Sequence, residues 1–109
     1  MEELAYKIKA DLFKALAHPI RLQIIEFLKN GEKNAGSIVK HLNIPQSSLS
    51  RHLLDLKEVG VLKSRQQGTT IYYGIEDHEI FQVLRPIAEM LRKKLKKTAI
   101  VLNSLGKER

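Results

Sequence analysis

The sequence predicts a mainly α-helical fold with one small β-hairpin, a winged helix-turn-helix closed by a long C-terminal helix. Three observations predict it. Apolar residues recur at helical spacing through residues 2–60, the period falls to two between 61 and 75, and helical spacing returns from about 77 to 105. Two short helical segments flank the tight break Asn43-Ile44-Pro45. The hairpin follows the second of them directly, which is the order of a helix-turn-helix and its wing.

Each element has its own signal. Residues 2–16 place Leu4, Ile8, Leu12, Ala15 and Leu16 close to one helix face. Pro19 sits where a first helical residue tolerates proline. Ile20, Ile24, Phe27 and Leu28 follow at helical spacing, and Gly31 supplies a stop. Asn34 caps a short third helix carrying Ile38, Val39 and Leu42. Residues 46–60 form the fourth, with Leu49, Leu53 and Leu56 on one narrow stripe.

Val61–Gln66 and Thr70–Ile75 read as strands around Gln67-Gly68-Thr69, with Ile71, Tyr73 and Ile75 alternating against Thr70, Tyr72 and Gly74. Asp77 caps a last helix running to about Leu105. Ile80, Leu84, Ile87, Leu91, Leu95, Thr98, Leu102 and Leu105 form a seam along it, longer than so small a core needs. Pro86 should kink this helix or split it near Arg85. With no repeat and no linker, residues 1–109 are expected to form one domain.

The 109 residues carry a net charge of +7, which suggests a polyanionic partner, nucleic acid being the commonest. There is no cysteine, so disulfides and thiolate metal sites are excluded. No apolar run approaches the roughly 20 residues that span a bilayer. The N-terminus lacks an apolar signal core, so a cytoplasmic location without membrane association is expected. Gly-rich phosphate loops, carboxylate clusters and nucleophile–base pairs are missing, so no enzyme activity is expected.

The 46–60 segment has two chemistries. Its leucine stripe faces a core. Gln46, Ser47, Ser48, Ser50 and Arg51 crowd its N-terminal end. Small hydroxyls allow close approach to a DNA major groove, and Gln and Arg make paired hydrogen bonds to base edges. A solvated helix face has the same composition, but the adjacent break, hairpin and positive charge favour DNA contact. Gln46 is open between a base contact and a helix-start residue. His52, on the flank of the apolar stripe, is open between packing and a phosphate contact, with packing favoured.

Three segments carry a resemblance. Phe13 to Ile25, with His18-Pro19-Ile20-Arg21 at its centre, resembles the opening signature of the arsenical-resistance-repressor (ArsR) family of winged-helix regulators. Gln46 to Leu53, continuing through Leu56-Lys57-Glu58-Val59-Gly60-Val61-Leu62, resembles that family's recognition helix, and Arg65 to Tyr73 resembles its wing. Together they cover roughly residues 12–80. The resemblance implies a homodimeric transcription repressor. It implies operator binding by residues 46–52 and the wing, and dimerisation through the first and last helices. Leu4, Ile8, Leu84, Ile87, Leu91, Leu95 and Leu102 are the expected interface positions.

The departures concern sensing. Many members bind metals through a Cys-x-Cys pair on the third helix; here that region is Lys33 to Lys40, without ligands of that kind. Others use Asp and His at the start of the last helix. Asp77-His78-Glu79 resembles that half, but the completing positions fall near Met90 and Lys93. No metal and no cofactor are therefore expected, and no inducer is assigned. His18, His41, His52 and His78 are scattered in sequence, and a lone histidine is usually structural.

The wing offers Lys63, Arg65, Gln67, Thr69, Thr70 and Tyr72. Arg65, with Lys63 on the same alternating face, would place a cation on phosphates or in a minor groove. Tyr72 is open between a phosphate contact and packing on the sheet. On the last helix Arg85, Arg92, Lys93, Lys94, Lys96 and Lys97 are opposed by Glu89 alone within 85–97. A solvated dimer helix, attraction to DNA and an acidic partner all fit that charge. The leading reading is a sequence-specific binder of double-stranded DNA. The alternative is a winged-helix module for protein or RNA interaction.

Overall fold

A computed structural model describes residues 1–107. The described residues form two compact units, Met1–Asp77 and a second that begins at His78. In the first unit, α1 (Glu2–Leu16), α2 (Pro19–Phe27), α3 (Ala35–Leu42) and α4 (Gln46–Glu58) precede the hairpin strands. Those strands are β2 (Leu62–Gln67) and β3 (Thr70–Ile75), and a two-residue strand, β1 (Lys33–Asn34), precedes α3. The sheet is antiparallel in the order β1-β3-β2.

The caps explain the helix boundaries. Pro19 opens α2, whose first turn is capped by His18: its Nδ1 accepts from the Ile20 N–H at 3.1 Å. Asn34 Oδ1 accepts from the Ser37 N–H at 2.8 Å and starts α3. Asn43 ends α3 in the left-handed region at φ 53°, a conformation asparagine tolerates, and this makes the break before α4 short. Gly68 adopts φ 63° as the first residue of the two-residue hairpin turn, the type II′ geometry that matches strand twist.

Helix α4 packs on α1, α2, α3 and β2. Ile24, Ile25, Leu28 and Ile38 are fully buried, as are Leu49 and Leu56 of α4 itself, each contributing about 1.5–3 kcal/mol. The predicted stripe Leu49, Leu53 and Leu56 is thus the centre of the core. On α1 only the C-terminal end is held: Ala15 and Leu16 are buried, while Leu4, Tyr6, Ile8 and Phe13 are exposed.

Several expectations change. The strand β1 was not anticipated; two residues carry no periodicity to read. The hairpin turn is Gly68-Thr69 rather than a three-residue loop, because Gln67 pairs with Thr70. The alternation expected of β3 holds only in part. Ile71 is exposed, and burial concentrates at Gly74 and Ile75 because only the base of the hairpin meets the core, through Val61, Leu62 and Ile75.

The second unit is the helix α5 (Ile80–Lys107). It begins after a turn at His78-Glu79, with the Phe81 and Gln82 N–H groups donating to the carbonyls of His78 and Glu79. This start lies later than one counted from Asp77. Pro86 does not split the helix. A proline there removes one N–H, and the turns on either side keep the helix continuous. Along α5 Leu84 is half-buried, while Ile87, Leu91, Leu95 and Leu102 are exposed, as are Met90, Val101 and Leu105. No helix among the described residues is long and apolar enough to cross a membrane.

Candidate nucleic-acid interface

The N-terminal end of α4 stands clear of the core. Gln46, Ser47, Ser48, Ser50 and Arg51 are all exposed, although they alternate with the buried Leu49 and precede the buried Leu53. Pro45 precedes the helix, and among the described residues no side chain caps the first backbone N–H groups of α4. Ser50 donates its hydroxyl to the Gln46 carbonyl at 3.1 Å, which leaves its oxygen as an acceptor outward.

An open groove of about 450 Å³ runs from this helix end to the hairpin. Gln46 and Ser50 line one side, Thr69, Thr70 and Ile71 the other, and Asn34 and Gly36 the floor near α3. Of the expected contact residues, Gln46, Ser50, Thr69 and Thr70 line this groove, while Lys63, Arg65 and Tyr72 lie on the opposite face of the hairpin from its lining residues Ile71 and Tyr73.

The wing carries a contact that sequence reading missed. Arg65 donates from Nε to Glu32 Oε1 at 2.8 Å and from Nη1 to Gln67 Oε1 at 2.8 Å. Its guanidinium also lies 4.7 Å from the centre of the Tyr72 ring, so Tyr72 serves as a platform for Arg65. Glu32 reaches this face because Gly74 has no side chain: a Cβ there would come within 3.1 Å of Glu32 Cγ and 3.8 Å of Lys63 Cε. Lys63 is exposed beside the pair. The Arg65 charge is thus partly answered within the protein.

His52 resolves toward packing. It is buried, its Nδ1 accepts from Arg21 Nε at 3.0 Å, and its ring centre lies 4.4 Å from that of His18. A ring so enclosed does not present a surface to DNA, so His52 packs in the core and is not one of the expected DNA contacts. Burial, with His18 and Arg21 nearby, holds its imidazole below the usual 6.5, and Asp55 only partly offsets this. The histidines scattered in sequence are not all isolated in space, since the fold brings His18 and His52 together. His41, for its part, stacks on Phe27 with ring centres 3.9 Å apart.

Arg21 was not anticipated outside the family signature. It bonds His52, donates from Nη1 to the Ala15 carbonyl at 3.3 Å, and forms an ion pair through Nη2 with Asp55 Oδ2. Asp55 in turn pairs through Oδ1 with Arg51 Nε at 3.2 Å. Its i+4 spacing from Arg51 was the one sequence signal available for this contact. Among the described residues no group of three or more His, Asp or Glu is placed to hold a metal ion.

A buried-backed helix end and a β-hairpin on one concave surface define the class: a winged helix-turn-helix of the kind that binds duplex DNA. The description "Bacterial regulatory protein, arsR family" matches residues 18–64. The HTH-type transcriptional regulator Rv0081 of Mycobacterium tuberculosis is 33% identical over 104 residues, covering 94% of this chain and 91% of that protein. Its crystal structure superposes with a TM-score of 0.79 at 31% identity, over 87% of this chain and 96% of that one. The transcriptional repressor PagR of Bacillus anthracis is 37% identical over 91 residues, 80% of this chain and 91% of that protein. A solution structure of a homodimeric winged helix-turn-helix DNA-binding domain from Mycobacterium bovis gives a TM-score of 0.79 at 26% identity, covering 88% of this chain and 89% of that one. The chain belongs to the arsR family of bacterial regulatory proteins and is a transcriptional regulator of the helix-turn-helix type.

Proposed function

We propose that the protein is a cytoplasmic homodimeric repressor that reads an operator through α4 and grips its phosphates through the wing. The observation that carries this is the exposed row Gln46, Ser47, Ser48, Ser50 and Arg51 on a helix whose other face is locked in the core. Base reading requires such rigid presentation, since a mobile reader loses selectivity. The uncapped N–H groups at the start of α4 suit a phosphate. Thr69 and Thr70 line the groove, while Lys63, Arg65 and Gln67 supply further contacts from the other face of the hairpin, with Tyr72 holding Arg65.

Two observations support the dimer. The apolar rows on α1 (Leu4, Ile8) and α5 (Ile87, Leu91, Leu95, Leu102) are exposed in one chain, and exposed apolar rows of this length mark interaction surfaces. The Mycobacterium bovis domain of the same fold is homodimeric. Without cysteine, a thiol switch is unavailable.

Selection of bound duplexes from a random pool tests the reading. It should enrich a two-fold symmetric site whose half-sites lie about one helical turn, roughly 10 bp, apart. The enriched duplex should bind at least about 1,000-fold more tightly than random duplex. Failure to enrich any site, or tighter binding to RNA of matching sequence, would replace the operator-binding function with another use of the fold.

A further inference from the structure

Asp55 stands between two arginines in unlike surroundings. Arg21 is largely buried and held at three points: the Ala15 carbonyl of α1, Nδ1 of His52 and Oδ2 of Asp55. Arg51 is 71% exposed and pairs with Oδ1 of the same carboxylate, itself only 19% exposed. Each carboxylate oxygen therefore serves one guanidinium. The Arg51 pair is a charge contact of Nε with the carboxylate at 3.2 Å and not a hydrogen bond. Its Nη1 and Nη2 groups form no hydrogen bond among the described residues. These two donors match the O6 and N7 acceptors of guanine.

An i,i+4 pair with the arginine N-terminal to the acid, one partner in solvent, adds little stability. Its effect on a long side chain is larger. Attraction of the guanidinium to the carboxylate narrows rotamer freedom that would otherwise be lost on binding. Because Arg21 bonds to both α1 and α4, the carboxylate that pairs with Arg51 is anchored by a second contact.

We propose that Asp55, anchored by Arg21, is a positioning residue that aims the Arg51 fork at one guanine of the operator. The inference rests on the DNA-reading role of α4 and assigns to it a source of selectivity. Asp55 touches no base. It acts through Arg51, and Arg21 acts through Asp55.

The test uses the full-length protein and the duplex selected from the random pool, with single base-pair replacements at every position of one half-site. Arg51→Ala identifies the base pair whose preference depends on that side chain. Asp55→Asn should lower discrimination at this pair about threefold to tenfold. Preferences at other pairs and the salt slope should stay as in the wild type, and Asp55→Asn should add no further loss of discrimination in an Arg51→Ala background. A purely structural role would instead weaken binding to all duplexes alike, and that result overturns the proposal. So does a loss that persists undiminished without Arg51.

If Arg51→Ala alters no base preference, base reading by Arg51 falls and the positioning role falls with it. If Arg51→Ala alters one and Asp55→Asn does not, only the positioning role falls. Should Asp55→Asn fail to fold, Asp55→Glu keeps a carboxylate for Arg21 while moving it by one methylene. Its discrimination at that base pair should drop about twofold to threefold, and wild-type discrimination in a folded Asp55→Glu protein overturns the proposal.

Discussion

Replacing Glu32 by Gln should make the protein bind DNA more tightly, although it removes an ion pair. In the free protein Arg65 is bonded to the Glu32 carboxylate at 2.8 Å, with the two side chains 50% and 33% exposed. A phosphate on the far side of the guanidinium would lie about 7 Å from that carboxylate. Two unit charges at this distance repel by about 0.6 kcal/mol in water. At about 0.1 M salt screening roughly halves the repulsion. A dimer presents two wings, so removing both carboxylates recovers about 0.6 kcal/mol, a roughly threefold lower Kd. Losing the half-exposed pair should cost the fold under about 1 kcal/mol. Fluorescence anisotropy with labelled duplexes, on selected and random sequence and across a salt series, measures the effect. The gain should be similar on both sequences, because phosphate neutralisation is sequence-independent. Arg65→Ala should do the opposite, weakening all duplexes and flattening log K against log salt by about one unit per wing. A folded Glu32→Gln protein with unchanged or weaker binding would refute the electrostatic reasoning and remove Arg65 from the phosphate contacts.

Other expectations follow from the same geometry. Arg51→Ala should weaken operator binding by about 1–3 kcal/mol and random duplex by less; equal losses would demote Arg51 to a phosphate contact. Leu91→Glu with Leu95→Glu places carboxylates in the exposed α5 row and should give monomers in sedimentation, whereas a persistent dimer would locate the interface elsewhere. The folded protein resists protonation of His52, so the unfolded chain takes up a proton near pH 6.5 that the native state refuses. Stability should therefore be complete above that pH and decline below it. His52→Asn, which keeps an acceptor for Arg21, should reduce the acid-dependent part of the decline in thermal melts, and an identical pH profile would exclude His52 as its source. Zinc, cadmium or arsenite should leave the protein–operator complex intact, and calorimetry showing tight stoichiometric zinc binding would contradict this.

The local elements were legible because their causes are local. Pro19, Asn34 and Gly68 mark helix starts and a turn through their own backbone preferences. The stripe Leu49, Leu53 and Leu56 needs only helical geometry to share a face, and the row Gln46, Ser47, Ser48, Ser50 and Arg51 falls largely outside it by the same rule. Pro86 shows the limit. Its missing N–H predicts a kink or a split, but the helix is not split there.

What depended on distant parts of the chain was decided by the tertiary structure. Arg21 and Asp55 are 34 residues apart, as are no periodic signals, and Glu32 meets Arg65 across 33. Those contacts exist because α4 packs on α2 and because Gly74 leaves room beside the central strand. His52 was ambiguous by pattern, since a flanking position on an amphipathic helix can face either way; His18 and Arg21 make it an interior residue. Sequence alone determined which polar side chains share the N-terminal end of one helix, through their spacing along it. Only the fold decided which of their charges are already paired, because a side chain's partner is set by where remote segments pack.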